Sequence, residues 1–510
     1  MIIDWKKLQN GSDIRGIAIE SGDEKINLTP EIASIIASSF VKWLCEKKKI
    51  NAKDLKIAVG MDSRITGPVL KKGIISGIVK SGGTPFDCGL ASTPAMFMST
   101  VIEEFSCDGA VMITASHLPF NRNGFKFFTG SGGLEKDDIK KILAAASSEA
   151  PVFDENISSR TMNLMDKYSG IFVDKIRKGI NSKINYTRPL EGMKIAVDAG
   201  NGAGGFFADK VLVPLGADTS GSRFLDPDGR FPNHEPNPEN SEAMESIRDA
   251  VLKSGADLGI IFDTDVDRAA VVDCDGTIIN RNTLVALAAA IVLEEHPGST
   301  IVTDSVTSDG LTVFIENNLG GKHHRFKRGY KNVINEAIRL NSEGIESHLA
   351  IETSGHGALK ENFFLDDGAY LVAKIIIMVA RLKIESGRSI MTLVEGLIQP
   401  VEEKEFRIKL LEDDFISQGE SIIKALKEYI SRNEGWSVAP NSFEGVRVSC
   451  GGDSEKGWFL LRLSLHDPVL PLNVESEVTG GVKNITKRIA GFLESHQKID
   501  YKTIKEYTAD

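Results

Sequence analysis

Short apolar runs alternate along the chain with segments of helical periodicity, and this alternation limits the folds that the chain can form. Strand-like runs occupy residues 55–60, 194–198, 258–262 and 300–303, and residues 69–79 repeat Val, Leu and Ile at helical spacing. Strands that are separated by helices usually lie parallel in one sheet, with polar loops at their carboxyl ends. The sequence therefore predicts an α/β fold with largely parallel sheets.

The last hundred residues follow a different pattern. Strand-like runs at 443–449, 458–464 and 470–474 stand next to amphipathic helical segments that begin near Ser421 and Val482. Grouped strands and helices are typical of an α+β domain, which we expect at the C-terminal end.

A chain of 510 residues is too long for one core. At about 150 residues per domain, it should form three or four domains. Polar, helix-breaking stretches near 181–185, 275–282 and 399–403 are candidate boundaries.

Composition argues against several classes of protein. The net charge of −11 disfavours nucleic acid or an anionic membrane as a partner, because both bind strongly basic surfaces. The five cysteines are scattered without a C-x-x-C pair, which fits a reducing compartment better than a disulfide framework. The longest apolar stretch, residues 370–382, contains Lys374 and Arg381. It is shorter than the roughly 18 residues of a membrane span, so we expect a core helix and a cytoplasmic protein.

The segment 114–126 carries a candidate nucleophile. It follows the apolar run 109–114 and offers the hydroxyl of Ser116, the imidazole of His117 and the amine of Lys126. A hydroxyl beside nitrogen groups at the end of a strand can act as a nucleophile or a phosphate carrier. The alternative is a polar turn in which these side chains cap backbone groups.

Three carboxylates follow the strand-like run 258–262. Asp263, Asp265 and Asp267 stand at every second position of residues 263–267, which we name the acidic loop. Carboxylates this close repel one another and need a neutralising partner. A hard divalent cation prefers such oxygen ligands, and we expect Mg²⁺. An exposed acidic turn without a metal is the alternative.

Two other functions place carboxylates in a similar pattern. An EF-hand loop needs Gly at its sixth position and Glu at its twelfth, where this chain has Arg268 and Cys274, so we reject it. A phosphatase with an aspartyl nucleophile also carries Asp-x-Asp after a buried strand, and it would use Asp263. That alternative stays open.

A glycine-rich segment imitates a nucleotide site. Gly200, Gly202 and Gly205 match G-x-G-x-x-G after a strand, and Asp218 or Asp226 could bind a ribose. A single match of this kind is weak, and such turns also let two backbones pack closely. We favour the packing interpretation.

The Ser116 segment and the acidic loop together resemble the α-D-phosphohexomutase superfamily, in its phosphomannomutase/phosphoglucomutase branch. The resemblance extends over most of the chain. Further matching segments are residues 11–16, 59–64, 197–205, 227–238, 328–331, 352–356, 366–368, 445–448 and 457–464. On this resemblance the glycine-rich segment belongs to the family pattern and not to a dinucleotide site.

The resemblance implies a heart-shaped α/β fold of four domains around a central cleft. Three related mixed-sheet α/β domains would precede a C-terminal α+β domain. The implied bounds are 1–170 for the phosphoserine domain, 171–277 for the metal-binding domain, 278–398 for the sugar-binding domain and 399–510 for the C-terminal phosphate-binding domain.

The resemblance also implies roles for single residues. Ser116 would be the phosphoserine, and Asp263, Asp265 and Asp267 would hold Mg²⁺ together with a phosphoserine oxygen. The implied catalytic residues are Ser116, His117, Lys126 and His356, with Lys126 and His356 as proton-transfer candidates. The implied substrate-binding residues are Arg15, Arg268 and Lys331 in the cleft, Glu352 and Ser354 for sugar hydroxyls, and Arg462, Ser464 and His466 for the distant phosphate.

The chain departs from the family pattern in two loops. Leu118 stands where the family usually has Asn, and Leu465 and His466 replace small or hydroxyl-bearing residues of the phosphate loop. An imidazole at His466 can still donate to a phosphate.

The expected function is a Mg²⁺-dependent mutase that interconverts hexose 1-phosphate and hexose 6-phosphate of glucose or mannose. It would act as a monomer or homodimer through a phosphoserine and a hexose 1,6-bisphosphate intermediate. The alternatives are a specialised bisphosphate-forming phosphotransferase and a catalytically weak sugar-phosphate sensor.

Overall fold

The computed structural model describes residues 3–151, 153–440, 442–464 and 467–509. These residues form two compact units. The first unit comprises Met1–Leu284 and Ser354–Thr392, and the second comprises Val285–Thr353 and Leu393–Asp510. Among the described residues, no helix is both long enough and apolar enough to cross a membrane.

The first unit begins with an eight-stranded mixed sheet. Its strands are β1 (Gln9–Asn10), β2 (Asp13–Ile17), β3 (Lys56–Met61), β4 (Thr84–Leu90), β5 (Gly109–Ile113), β6 (Arg122–Thr129), β7 (Gly132–Gly133) and β8 (Arg160–Thr161). They follow the order β1-β2-β6-β5-β3-β4-β8, with β7 paired to β6. Strands β5, β3, β4 and β8 are parallel, whereas β1, β2, β6 and β5 pair antiparallel.

Two helices beside this sheet, α1 (Pro30–Lys48) and α2 (Gly67–Lys80), approach each other very closely. A Cβ atom at Gly73 would lie 2.3 Å from the carbonyl oxygen of Pro30, and one at Gly77 would lie 2.2 Å from that of Ser34. Only glycine fits at such contacts. The helices of this region are α1 (Pro30–Lys48), α2 (Gly67–Lys80), α3 (Thr93–Val101), α4 (Lys136–Ala146) and α5 (Leu164–Ile180).

A second sheet of the first unit has four strands. They are β9 (Ile195–Asp198), β10 (Leu258–Phe262), β11 (Ala269–Asp273) and β12 (Ile278–Ile279), in the order β12-β11-β10-β9. Helix α6 (Ser241–Ser254) connects β9 with β10, which run parallel. The short acidic loop turns β10 back into β11, so these two strands are antiparallel.

Helix α7 (Arg281–Glu295) contains the division between the units. In the second unit, strands β13 (Thr300–Thr303), β14 (Lys322–Arg325) and β15 (Ser347–Ile351) lie parallel in the order β14-β13-β15. Helices α8 (Asp309–Val313) and α9 (Tyr330–Ser342) follow β13 and β14.

The chain then returns to the first unit with an antiparallel hairpin, β16 (Gly357–Leu359) and β17 (Leu365–Asp366). Helix α10 (Gly368–Glu385) follows and is buried along most of its length. The ammonium of Lys374 stays paired because it lies 3.1 Å from a carboxylate oxygen of Glu361. The prediction of a core helix over residues 370–382 is therefore confirmed.

The C-terminal region of the second unit is an antiparallel sheet with three helices. Its strands are β18 (Glu402–Leu410), β19 (Trp436–Val438), β20 (Val446–Cys450), β21 (Gly457–Leu461), β22 (Val469–Ser476) and β23 (Ile499–Asp500), in the order β19-β20-β21-β22-β18-β23. Its helices are α11 (Phe415–Ile430), α12 (Gly481–Leu493) and α13 (Lys502–Thr508).

The predicted α/β class and the distinct C-terminal α+β region are confirmed, with two corrections. The sheets are mixed rather than largely parallel, because hairpins contribute several strands. Helix α11 begins before Ser421, since the Asp414 side chain accepts a hydrogen bond from the Ser417 amide at 3.1 Å and caps the helix there. The division into four domains stays a prediction.

Candidate active site

The loop after β5 and the acidic loop after β10 meet in the first unit. We name residues 114–122 the serine loop. The hydroxyl of Ser116 lies 3.2 Å from Oδ2 of Asp263 and 3.3 Å from Nδ1 of His117. Ser116 has a left-handed backbone with φ of 50°, and its amide donates to the Thr114 hydroxyl at 2.8 Å. Such a conformation is uncommon for a residue other than glycine and needs support from its surroundings.

The acidic loop fits a hard cation. Asp263, Asp265 and Asp267 are almost completely buried, and one oxygen of each lies within 4.8 Å of the others. Among the described residues, Oδ1 of Asp265 and Oδ1 of Asp267 have no hydrogen-bond partner. Buried carboxylate oxygens rarely lack a partner, and these are the ligands that Mg²⁺ prefers. The three side chains can therefore hold one metal ion.

Cationic side chains balance the carboxylates. The Lys126 ammonium lies 3.1 Å from Oδ2 of Asp265 and forms an ion pair with Asp267. Nε of Arg268 lies 3.3 Å from Oδ2 of Asp263. Lys126 stands on β6, which pairs with β5, so the sheet itself places this amine beside the serine loop.

The carboxylates titrate differently because their neighbours differ. Burial raises the pKa of Asp263 well above its ordinary value, and the charges of Asp267 and Asp265 raise it further. Burial also acts to raise the pKa of Asp267, but the positive charges of Lys126 and His356 outweigh it and keep this pKa below its ordinary value.

His356 is held as a cation. Its Nδ1 forms an ion pair with Oδ2 of Asp366 at the end of β17. Burial acts to lower the pKa of His356, but the carboxylates of Asp366 and Asp267 outweigh it and raise the pKa to about 9. His117 shows the opposite effect, since burial and the charges of Arg268 and His356 lower its pKa to about 3. One imidazole is therefore charged and the other neutral near pH 7.

Two further predicted residues lie in the first unit. The guanidinium of Arg15 is 2.8 Å from Oδ2 of Asp13, and it also donates to the carbonyl oxygen of Thr114, where the serine loop begins. The hydroxyl of Ser354 is buried and has no hydrogen-bond partner in the part of the chain that the structure describes.

The other predicted residues lie in the second unit. Glu352 accepts a hydrogen bond from the amide of Gly329 at 2.6 Å, so Glu352 contacts the segment 328–331. Lys331 stands in the first turn of α9.

The predicted phosphate loop follows β21. Burial lowers the pKa of Arg462, and its Nε has no hydrogen-bond partner among the described residues. The hydroxyl of Ser464 accepts a hydrogen bond from the Asp467 amide at 3.3 Å. Leu465 and His466 lie outside the described residues, so the predicted role of His466 stays a prediction.

Sequence reasoning missed one residue that holds the acidic loop. The Thr93 hydroxyl donates to Oδ2 of Asp265 at 2.5 Å, and the Thr93 amide donates to the Asp265 carbonyl oxygen at 2.8 Å. Ser92 caps α3 and Pro94 follows in its first turn. This cap was visible in the sequence as Ser-Thr-Pro after β4, but nothing in the sequence connects it with a loop 172 residues away.

Sequence reasoning also missed a role for Asp366, which it noted only as part of the matching segment 366–368. The ion pair of Asp366 with His356 shows that this side chain orients the imidazole.

Models of one family match three consecutive regions of the chain. They are described as phosphoglucomutase/phosphomannomutase alpha/beta/alpha domain I, domain II and domain III, and they match residues 6–152, 171–276 and 280–401.

Proteins that are similar in sequence match most of the chain. A phosphomannomutase/phosphoglucomutase of Pseudomonas putida is 31% identical over 433 residues, which are 84% of this chain and 85% of the relative. A phosphoglucomutase of Neisseria gonorrhoeae is 30% identical over 486 residues, which are 95% of this chain and 96% of the relative.

A solved structure agrees in fold. The crystal structure of a phosphoglucomutase/phosphomannomutase family protein from Burkholderia thailandensis matches 97% of this chain and 98% of its own, with a TM-score of 0.76 and 26% identity. The chain therefore belongs to the phosphoglucomutase/phosphomannomutase family of the α-D-phosphohexomutase superfamily, and it is an isomerase of the intramolecular phosphotransferase class.

Proposed function

We propose that the protein is a Mg²⁺-dependent phosphohexomutase that interconverts hexose 1-phosphate and hexose 6-phosphate of glucose, mannose or both. Its reaction passes through phospho-Ser116 and a hexose bisphosphate intermediate. The observation that carries the proposal is the position of the Ser116 hydroxyl, 3.2 Å from Asp263 at the edge of a buried triad of carboxylates. The names of the relatives support hexose phosphates as substrates.

Asp263, Asp265 and Asp267 are the residues that would hold the metal. When bound, Mg²⁺ supplies positive charge to the transferring phosphoryl group. The carboxylate pattern alone would equally suit an aspartyl nucleophile, but Asp263 already accepts hydrogen bonds from Ser116 and Arg268. This arrangement favours Ser116 as the phosphate carrier.

The reaction consists of two phosphoryl transfers. In the first, the bond between phosphorus and the Ser116 oxygen breaks and a bond forms to the free hydroxyl oxygen of the hexose monophosphate; this hydroxyl releases its proton, and the Ser116 oxygen takes up a proton. In the second, the bond between the other phosphorus and its sugar oxygen breaks and a bond forms to the Ser116 oxygen; the Ser116 hydroxyl releases its proton, and the sugar oxygen takes up a proton. Lys126 and His356 lie beside Asp267 and are the candidates for these proton transfers. Both also place positive charge where the phosphoryl group gathers negative charge.

The remaining site residues would bind the substrate. We assign Glu352 and Ser354 to sugar hydroxyls, because a carboxylate accepts hydrogen bonds and a hydroxyl both accepts and donates them. We assign Arg462, Ser464 and His466 to the phosphate that does not react. Arg15, Arg268 and Lys331 complete the set of cationic groups.

The test is a coupled assay of the purified protein with glucose 1-phosphate or mannose 1-phosphate, Mg²⁺ and a trace of the hexose 1,6-bisphosphate. We expect turnover of at least one sugar phosphate and loss of that turnover in Ser116→Ala. Intact-mass spectrometry should detect one phosphate on the wild type that maps to Ser116. No turnover of any hexose phosphate by the wild type would refute the mutase, and equal activity in Ser116→Ala would refute the phosphoserine.

The same assay separates two other functions. Leu118, Leu465 and His466 depart from the family pattern and favour a phosphotransferase that makes hexose bisphosphate as its net product. Net bisphosphate accumulation without exchange between 1-phosphate and 6-phosphate would identify that enzyme. Phosphate release that survives Ser116→Ala would identify an aspartyl phosphatase instead.

A further inference from the structure

Three segments that match the family pattern without an assigned role, residues 59–64, 197–205 and 227–238, meet beneath the serine loop and the acidic loop. Arg64 lies at the centre of this region and is 1% exposed. It belongs to none of the groups that hold the metal or the substrate in the proposed function, so its complete burial needs another explanation.

The guanidinium of Arg64 donates hydrogen bonds to the main chain of the serine loop. Nη1 donates to the carbonyl oxygens of Pro119 at 2.8 Å and Arg122 at 3.0 Å. Nη2 donates to the carbonyl oxygens of Ser116 at 2.5 Å and Leu118. One side chain therefore binds four carbonyl groups within seven residues, and one of them belongs to Ser116, whose backbone is left-handed.

Arg64 is itself fixed from two directions. Its amide donates to Oδ1 of Asp62 at 2.9 Å, and its Nε lies 3.4 Å from Oδ2 of Asp62. On the other side, a Cβ atom at Gly229 would lie 2.6 Å from Cα of Arg64 and 2.4 Å from the amide nitrogen of Ile65. The ring of Phe231 lies 5.3 Å from the guanidinium carbon.

The turn that contains Asp228 and Gly229 is connected to the acidic loop through the glycine-rich segment 197–205. The amide of Asp228 donates to the carbonyl oxygen of Asn201 at 2.9 Å, and the amide of Ala203 donates to that of Thr264 at 2.8 Å. A Cβ atom at Gly202 would lie 2.7 Å from the same Thr264 oxygen. Thr264 stands between the first two aspartates of the acidic loop, so the glycine-rich turn supports that loop by close packing.

We propose that Arg64 is a positioning residue for the phosphoryl transfer, which sets the place of Ser116 relative to the acidic loop. Its four hydrogen bonds hold the serine loop, and the turns at Gly229 and Gly202 connect it to Thr264. This inference rests on the proposed function for its catalytic consequence, but the mechanical part stands independently of it. Lysine cannot replace this arginine, because an ammonium donates from one point and a guanidinium donates from a planar fork.

The first test is Arg64→Lys, with Arg160→Lys as the matched control on an exposed arginine of the same unit. We expect kcat to fall about 10- to 100-fold, because a small displacement of a reacting group costs this much. KM should change by no more than about threefold, since the hydrogen bonds given for Arg64 among the described residues go to the serine loop and to Asp62 rather than to side chains assigned to the substrate. The control should keep the wild-type values.

Hydrogen exchange supplies a measurement that needs no catalysis. In the serine loop, the amides of Ser116, Leu118 and Arg122 are all hydrogen-bonded. In Arg64→Lys their exchange should accelerate about tenfold or more while the strands of the same sheet keep their protection. If the wild type shows no mutase activity but exchange is still faster in Arg64→Lys, the positioning role would be supported and the proposed function refuted.

The second variant, Gly229→Ala, displaces Arg64 without removing it. We expect the same fall in kcat and the same faster exchange in the serine loop. Gly170→Ala is its control, because a Cβ atom there meets no atom within 4 Å. Wild-type kcat and exchange in Arg64→Lys would overturn the inference. Loss of cooperative unfolding in both variants would also overturn it, since Arg64 would then hold the whole unit rather than one loop.

Discussion

The hydroxyl of Thr93 should control the affinity of the acidic loop for its metal. Thr93→Val keeps the shape of the side chain but removes the hydrogen bond to Oδ2 of Asp265, which is 2.5 Å long. Both side chains are buried, so water cannot replace the lost donor. A hydrogen bond to a charged group contributes about 1.5–3 kcal/mol, which corresponds to roughly a 10- to 100-fold change in an equilibrium constant. Removing a side chain that hydrogen-bonds to a metal ligand lowers the metal affinity by about the same factor.

The assay is a Mg²⁺ titration of turnover, repeated by calorimetry without substrate. We expect the apparent dissociation constant for Mg²⁺ to rise in Thr93→Val while the rate at saturating metal falls less. The control is Thr100→Val on the same helix, whose hydroxyl donates at 2.7 Å to the carbonyl oxygen of Phe97, within the helix. An unchanged Mg²⁺ dependence in Thr93→Val, or an equal loss in Thr100→Val, would refute the reasoning.

Three further predictions concern stability. Burial raises the pKa of Glu475 from 4.5 to about 7, so its contribution to stability is complete below pH 4.5 and is lost as the pH rises to about 7. The loss amounts to about 3 kcal/mol of unfolding free energy. Urea unfolding at about pH 5 and about pH 8 should show this decrease in the wild type but not in Glu475→Gln, and an equal decrease in the variant would contradict the prediction. Gly77→Ala should lower the unfolding free energy by about 1–3 kcal/mol, because its Cβ would lie 2.2 Å from the Ser34 carbonyl oxygen; a wild-type melting curve would contradict the close approach. Tyr168→Phe removes a buried 2.9 Å hydrogen bond to Asp367 and should cost about 1–3 kcal/mol in urea unfolding; a loss below about 0.5 kcal/mol would show that Asp367 finds another donor.

The sequence was sufficient for several buried strands and for the position of the acidic loop after β10. The apolar runs at 194–198, 258–262 and 300–303 correspond to β9, β10 and β13 within one residue, because a buried strand must be apolar on both faces. The three aspartates were recognisable because such close carboxylates have few stable environments without a cation.

The sequence was insufficient where a contact depends on tertiary structure. Arg64 was recognised only as one residue of the matching segment 59–64. Its four carbonyl partners could be identified only from the folded structure, in which Arg64 contacts the serine loop. The same holds for Thr93, whose partner Asp265 lies 172 residues away along the chain. Patterns of neighbouring residues predict elements and loops, but hydrogen bonds between distant loops leave no regular spacing in the sequence.

The balance of charge explains why the metal and the phosphate should bind together. The three carboxylates of the acidic loop face three cations, Lys126, Arg268 and the protonated His356, and the charge of His356 is offset by Asp366. The cluster is therefore close to neutral, with a small negative excess. A phosphoserine adds nearly two negative charges, so without a cation it would leave about three uncompensated negative charges in a buried site. Mg²⁺ adds two positive charges and would restore the original small excess. We accordingly expect the phosphorylated protein to bind Mg²⁺ more tightly than Ser116→Ala does, and equal affinities measured by calorimetry would contradict this coupling.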